Sequence, residues 1–116
     1  MNEILEQALL YDFYGELLTE HQKEIYVQFV QEDYSLGEIA KDANISRQGV
    51  HDLIKRCNKT LQGYEDKLHL VEKFLNIKGK IHNIDETLSS YQGADAEAQK
   101  LVMDVRRISD EILEEL

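Results

Sequence analysis

The chain has 116 residues, 42% of them hydrophobic, enough for one modest core, and its lack of proline and sparse glycine point to an all-α fold. A single cysteine, Cys57, excludes an internal disulfide and any multi-thiolate zinc site. The net charge of −10 opposes long-range attraction to phosphate, and no stretch has the apolar length of a signal peptide or membrane span, so a cytoplasmic protein is expected.

In chain order, the first helix is predicted over residues 2–18, with Leu5, Leu9, Leu10, Phe13, Tyr14 and Leu17 as a wide apolar face. Thr19 and Gln22 form a T-x-x-Q capping box that opens a second helix. Ile25, Tyr26, Phe29 and Val30 are its buried stripe, and Asp33 and Tyr34 lie in the link that follows. Ser35 and Glu38 form a second box, S-x-x-E, ahead of a short helix with Leu36, Ile39, Ala40 and Ala43 on one face. Asn44 suits the left-handed residue that ends it, and Ile45 is expected to plug the corner.

Ser46 is predicted to cap the fourth helix, with Val50, Leu53, Ile54 and Cys57 turned inward. Cys57 is thus a small core residue rather than a nucleophile. Arg47, Gln48, His51, Asp52, Lys55, Arg56 and Lys59 are left on or near the outer face. Such a helix supplies donors and acceptors for base edges near its start and cations for phosphates further along. Residues 35–56 therefore read as a helix-turn-helix with a basic second helix.

The charge distribution sharpens this reading. Residues 1–43 hold ten acids and two bases, whereas residues 44–60 hold four bases and one acid. Residues 61–80 are nearly balanced, and residues 81–116 hold nine acids and three bases. At physiological salt the Debye length is about 8 Å, so a local basic patch still works beside distant acidic surface.

Beyond residue 50, Val50, Ile54, Cys57, Leu61, Tyr64, Leu68, Val71 and Leu75 keep alternating 4-3 spacing, the core positions of a heptad repeat. The pattern predicts a long helix passing Gly63 and continuing through Ile77, Ile81, Ile84, Leu88 and Tyr91, with a kink or turn at Gly79. Gly93 is the expected stop and Asp95 the cap of a last helix, with Ala98, Leu101, Val105, Ile108 and Ile112 as its inward stripe. The expected division is a helix-turn-helix domain over 1–60 and a helical extension over 61–116. The extension forms either a helical hairpin or a homodimer interface, and Leu61, Tyr64, Leu68, Val71 and Leu75 are the candidate oligomer contacts.

Nothing points to an enzyme, a metal or a cofactor. His21, His51, His69 and His82 show no metal-ligand spacing with one another or with Cys57, and no phosphate loop or nucleophile motif occurs. The acid pairs Glu32-Asp33 and Asp85-Glu86 read as solvated faces.

The segment LTEHQKEIYVQFVQEDYSLGEIAKDANISRQGVHDLIKR, followed by LQGYEDKL, resembles the YlxM family of small bacterial helix-turn-helix proteins. The likeness covers roughly residues 9 to 75, and DYSLGEIA, ISRQGVHDLIKR and YEDKLHL carry it. Residues 19–56 more distantly resemble the DNA-reading C-terminal region (region 4) of bacterial sigma factors, a helix-turn-helix of the winged-helix class without its wing. That likeness implies nucleic-acid contacts at Arg47, Gln48, His51 and Lys55, with Arg56 and Lys59 alongside for phosphate. The YlxM likeness implies a role in the signal recognition particle pathway, through its RNA or its GTPase. The alternative is a dimeric regulator reading duplex DNA, and a third reading makes the heptads the functional surface on an inert helix-turn-helix scaffold.

Overall fold

In the computed structural model, which describes residues 3–93 and 95–116, the fold is built around the fourth helix. The chain divides into two compact units, Met1–Val71 and Glu72–Leu116. The first holds α1 (Glu3–Tyr14), a 3-10 turn (Gly15–Leu17), α2 (Glu20–Val30), α3 (Leu36–Ala43) and α4 (Arg47–Leu68). The remaining helices are α5 (Leu70–Ser89) and α6 (Ala96–Glu115). The described residues are all-α, with six α-helices.

Helix α4 is the hub because α1, α2 and α3 all pack against it. Its inward line, Val50, Ile54, Cys57 and Leu61, is buried, with Leu53 half-buried beside it. Leu10 and Tyr14 from α1, Ile25, Tyr26 and Val30 from α2, and Ile39 and Ala40 from α3 complete the core. Tyr26 is fully enclosed and its hydroxyl donates to Asn58 on α4, which satisfies a polar tip on an apolar ring. Tyr11 packs on the Tyr26 ring with centroids 5.8 Å apart.

Both capping boxes form. Thr19 Oγ1 accepts from the Gln22 amide at 3.2 Å, and Gln22 Oε1 accepts in return from the Thr19 amide at 3.0 Å. Ser35 and Glu38 exchange the same pair of bonds. These bonds satisfy amides that a helix start otherwise leaves open.

Three local expectations are corrected. The first helix ends at Tyr14 and tightens into a 3-10 turn, so Leu17 is exposed and Leu18 takes the buried position. Gly15 fits there because a Cβ would come within 2.6 Å of the Tyr11 ring. Asn2, the first residue of the helix expected over 2–18, lies outside the described residues. Ile45 remains exposed instead of plugging the corner. Its amide donates to the Ala40 carbonyl at 3.1 Å, closing the turn through the backbone alone.

The third correction concerns the long helix. Gly63 and Gly79 both lie within helices, and the break falls at His69, whose φ is 56°. The His69 amide caps α4 on the Glu65 carbonyl at 2.9 Å. Tyr14 and the Glu65 side chain then capture the first amides of α5. The Tyr14 hydroxyl donates to Glu65 Oε1 at 2.5 Å and accepts from the Leu70 amide at 3.2 Å. The Val71 amide donates to the same carboxylate oxygen at 2.9 Å. A carboxylate at a helix start also opposes the positive end of its dipole. The 4-3 spacing continues across this corner because heptads constrain which side chains are apolar, not whether the backbone turns.

In the second unit, Gln99 Nε2 donates to the Gly93 carbonyl at 2.6 Å and Arg106 Nη2 to Ser89 Oγ at 3.2 Å. Asp95 caps α6 through the Glu97 amide. The expected inward stripe of α6 is rotated. Leu101 is 64% exposed, with Ile108 and Ile112 also exposed, whereas Ser109 is 2% exposed. The inward line instead runs through Ala98, Val102, Val105, Ser109 and Leu113, two of which are small enough for a close approach. Asp85, expected on a solvated face, is half-buried, and its Oδ1 has no hydrogen-bond partner among the described residues.

Burial pushes the Cys57 thiol up to about 11 from 9.0, and it raises Tyr26 and Tyr14 above the usual tyrosine value. The folded state therefore holds the thiol proton after the unfolded chain has released it. Stability from this source is complete below pH 9 and is lost as pH rises from about 9 to 11, at up to about 1.4 kcal/mol per unit. Urea unfolding at pH 8 and pH 10.5 should show the loss. Cys57→Ala should flatten the part that begins near pH 9 and leave the tyrosine part above 10.

Candidate nucleic-acid interface

Helices α3 and α4 meet through a three-residue corner, Asn44 to Ser46. Asn44 takes the left-handed conformation at φ 56°, which asparagine tolerates better than most residues. Its amide and that of Ile45 both close on the Ala40 carbonyl, so the corner needs no other support. Ile39 and Ala40 on α3 and Val50 on α4 bury the inner faces of the pair. This locks the outer face of α4 in a fixed orientation with respect to α3.

Ser46 starts α4 by accepting from the Gly49 amide at 2.9 Å. Gly49 occupies the position where a capping box would carry glutamate, and a Cβ there would lie 3.0 Å from Ser46 Oγ. Helix α4 consequently has no acid in its first turn, whereas α1, α2, α3, α5 and α6 each have at least one. Its positive dipole end is left uncompensated beside Arg47, a setting that favours an anion. The only sequence signal of this is the lack of a carboxylate in RQGV, a weak one beside the charged residues that follow.

All six candidate contacts, Arg47, Gln48, His51, Lys55, Arg56 and Lys59, are exposed. Arg47, Gln48 and His51 line a shallow depression with Leu36 of α3, and Lys55, Arg56 and Lys59 line another with Asp52. Polar side chains thus stand at the start of α4 and cations farther along, the order in which a recognition helix carries its contacts. Asp52 interrupts it. Gln48 Nε2 donates to Asp52 Oδ1 at 3.0 Å, and His51 Nδ1 lies 3.6 Å from the same oxygen. The carboxylate thus holds the glutamine amide and faces the imidazole across the strip.

The candidate oligomer contacts have separate fates. Leu61 is buried in the first unit and Val71 is also buried, so neither presents itself to a second chain. Tyr64 is half-buried, its ring 6.0 Å from that of Tyr14. Leu75 is half-buried, and Leu68 is exposed.

The pattern of the UPF0122 family, described as "Putative helix-turn-helix protein, YlxM / p13 like", matches residues 1–103. The chain belongs to the UPF0122 family. It is 45% identical over 116 residues to a UPF0122 protein of Acetivibrio thermocellus, covering 98% of this chain and 99% of that one. It is 48% identical over 87 residues to one of Caldanaerobacter subterraneus subsp. tengcongensis, covering 75% and 74% of the two chains. A Geobacillus kaustophilus member is 38% identical over 105 residues, covering 90% and 96%. The family description agrees with the helix-turn-helix built by α3 and α4, and no helix among the described residues is long and apolar enough to cross a membrane.

Proposed function

We propose that this UPF0122 protein is a non-enzymatic regulator that binds a nucleic-acid duplex through the outer face of α4, acting as a homodimer in the cytoplasm. The observation that carries the reading is the coincidence of two features on one helix. The stretch of highest positive charge in an otherwise acidic chain is also the exposed second helix of a helix-turn-helix. Gln48 and Arg47 suit adenine and guanine edges, each worth about 1–3 kcal/mol of discrimination when bidentate. Lys55, Arg56 and Lys59 suit phosphates. Two copies would set two such helices side by side, about 34 Å apart for successive major grooves.

A second reading keeps the same face but assigns it to the signal recognition particle pathway, as the YlxM likeness implies. There the ligand is the particle RNA, or the GTPase meets the acidic surface. The net charge of −10 favours it, because acidic surface steers basic partners.

Fluorescence anisotropy against duplex DNA, particle RNA and GTPase, repeated across a salt series, tests both. Lys55→Ala and Lys59→Ala should weaken binding to all duplex sequences and reduce the salt slope by about one unit for each phosphate no longer neutralised. Arg47→Ala should instead relax preference at one base position. An unchanged slope in all three variants removes α4 from the binding surface. Binding to RNA or GTPase without DNA would replace the first reading with the second.

A further inference from the structure

The second unit leaves two lines of apolar side chains in solvent. On α5, Ile77 and Ile84, seven residues apart, are exposed, with Tyr91 also exposed just beyond the helix end, whereas the alternating heptad positions Phe74, Ile81 and Leu88 are buried or half-buried. On α6, Leu101, Ile108 and Ile112 form the corresponding exposed line. Half of each heptad seam is thus used inside the chain and the other half is left open. Scattered exposed apolar residues are ordinary, but a line at seven-residue spacing is the geometry of a helix seam awaiting another helix.

The open edges of the two lines carry opposite charge. On the helical wheel, the α5 line is bordered away from its buried side by Lys73 and Lys80, seven residues apart. The α6 line is bordered in the same way by the exposed Glu97 and Glu111 and the half-buried Asp104 between them, also at intervals of seven, with Glu115 beyond. Glu111 pairs with Arg107 at 3.0 Å inside its own helix, and both side chains remain more than half exposed. Each line therefore requires a partner helix with apolar heptads and the opposite border. The other line has both. Within one chain the two lines are exposed and do not satisfy each other.

We propose that a second copy of this chain covers these lines, α5 of each copy lying along α6 of the other with Lys73 and Lys80 facing the acidic border. The inference rests on the homodimer reading above and moves the interface from the line of Leu61, Tyr64, Leu68, Val71 and Leu75 to the open faces of α5 and α6. Because the pairing is isologous, it is reciprocal, and every charge contact occurs twice.

Sedimentation equilibrium of the full chain should give twice the 13.5 kDa monomer mass at micromolar concentration. Lys73→Glu with Lys80→Glu places acid against acid and should weaken association about tenfold or more. Asp104→Lys with Glu111→Lys places base against base and should do the same. An equimolar mixture of the two variants should recover the wild-type association, since each α5 then meets a complementary α6. Leu101→Ser, which alters a largely exposed side chain, should also weaken association about tenfold. A monomeric wild type, a mixture no better than its parts, or an undiminished Leu101→Ser dimer would each overturn the proposal. Anisotropy on the same samples separates the two readings: loss of dimer with retained duplex binding upholds this interface and removes the dimer from the nucleic-acid reading, an undiminished dimer with retained duplex binding sinks only this interface, and loss of binding by an intact dimer sinks only the nucleic-acid reading.

Discussion

Leu61→Ala is expected to cost about 2–5 kcal/mol, a large fraction of the stability of a small domain. Leu61 is 0% exposed and continues the buried line of Val50, Ile54 and Cys57 along α4. Truncation removes apolar packing and leaves a cavity in the helix on which α1, α2 and α3 all depend. The expected outcome is a lower urea midpoint with an unchanged slope, read by far-ultraviolet dichroism. The substitution also distinguishes two uses of the heptads. A core Leu61 makes the loss independent of protein concentration, whereas a Leu61 at a dimer seam makes it shrink as concentration rises. Burial inside the first unit favours the former. Duplex binding should fall only in proportion to the unfolded fraction, because the side chain lies opposite the Arg47 to Lys59 face.

The helix-turn-helix is largely legible in the sequence because each of its signals is local. Ser35 and Glu38, Asn44 and Ser46 act on amides within a few residues, and the structure realises all of those bonds or conformations. The inward line from Val50 to Leu61 is legible for the same reason, since a 3-4 spacing defines a face whatever it meets. What local pattern does not contain is the tertiary partner. The corner at His69 depends on Tyr14, which arrives from 51 residues before its partner Glu65. Nothing in YEDKLHL marks that meeting, so a glycine reads as the breaking residue and a histidine at positive φ does not. The rotation of α6 has the same origin. Leu101, Ile108 and Ile112 are the more apolar line, yet Ser109 is the residue enclosed. At the candidate interface the exposed residues are legible from their types, but the Gln48–Asp52 bond is not, because i to i+4 pairing on a surface is only one of several options for either side chain.

The contact between Tyr14 and Glu65 carries the second large effect. Tyr14 is 2% exposed, packs near Phe13 and Tyr64, and places its hydroxyl between the Glu65 carboxylate and the Leu70 amide. Burial, followed by the bond to Glu65, raises the Tyr14 pKa, so the hydroxyl donates throughout the neutral range. Tyr14→Phe keeps the ring and removes that donor and acceptor, leaving the Leu70 amide without the acceptor it has here. The expected loss is about 0.5–1.5 kcal/mol, the net worth of a hydrogen bond, because both bonds are only partly buried and water can reach the Leu70 amide. Tyr14→Ala also opens a cavity and should reach about 3–5 kcal/mol. Glu65→Gln preserves an acceptor for the Val71 amide and should cost less than Glu65→Ala, which preserves none. The two side chains act on one corner, so their effects should not add. A double-mutant cycle of Tyr14→Phe with Glu65→Ala should show a coupling of about 1 kcal/mol, and additivity would mean that the hydroxyl and carboxylate support α5 independently. Hydrogen exchange should place the loss where the geometry does, with the Leu70 and Val71 amides losing protection in Tyr14→Phe before those of Val50 and Ile54.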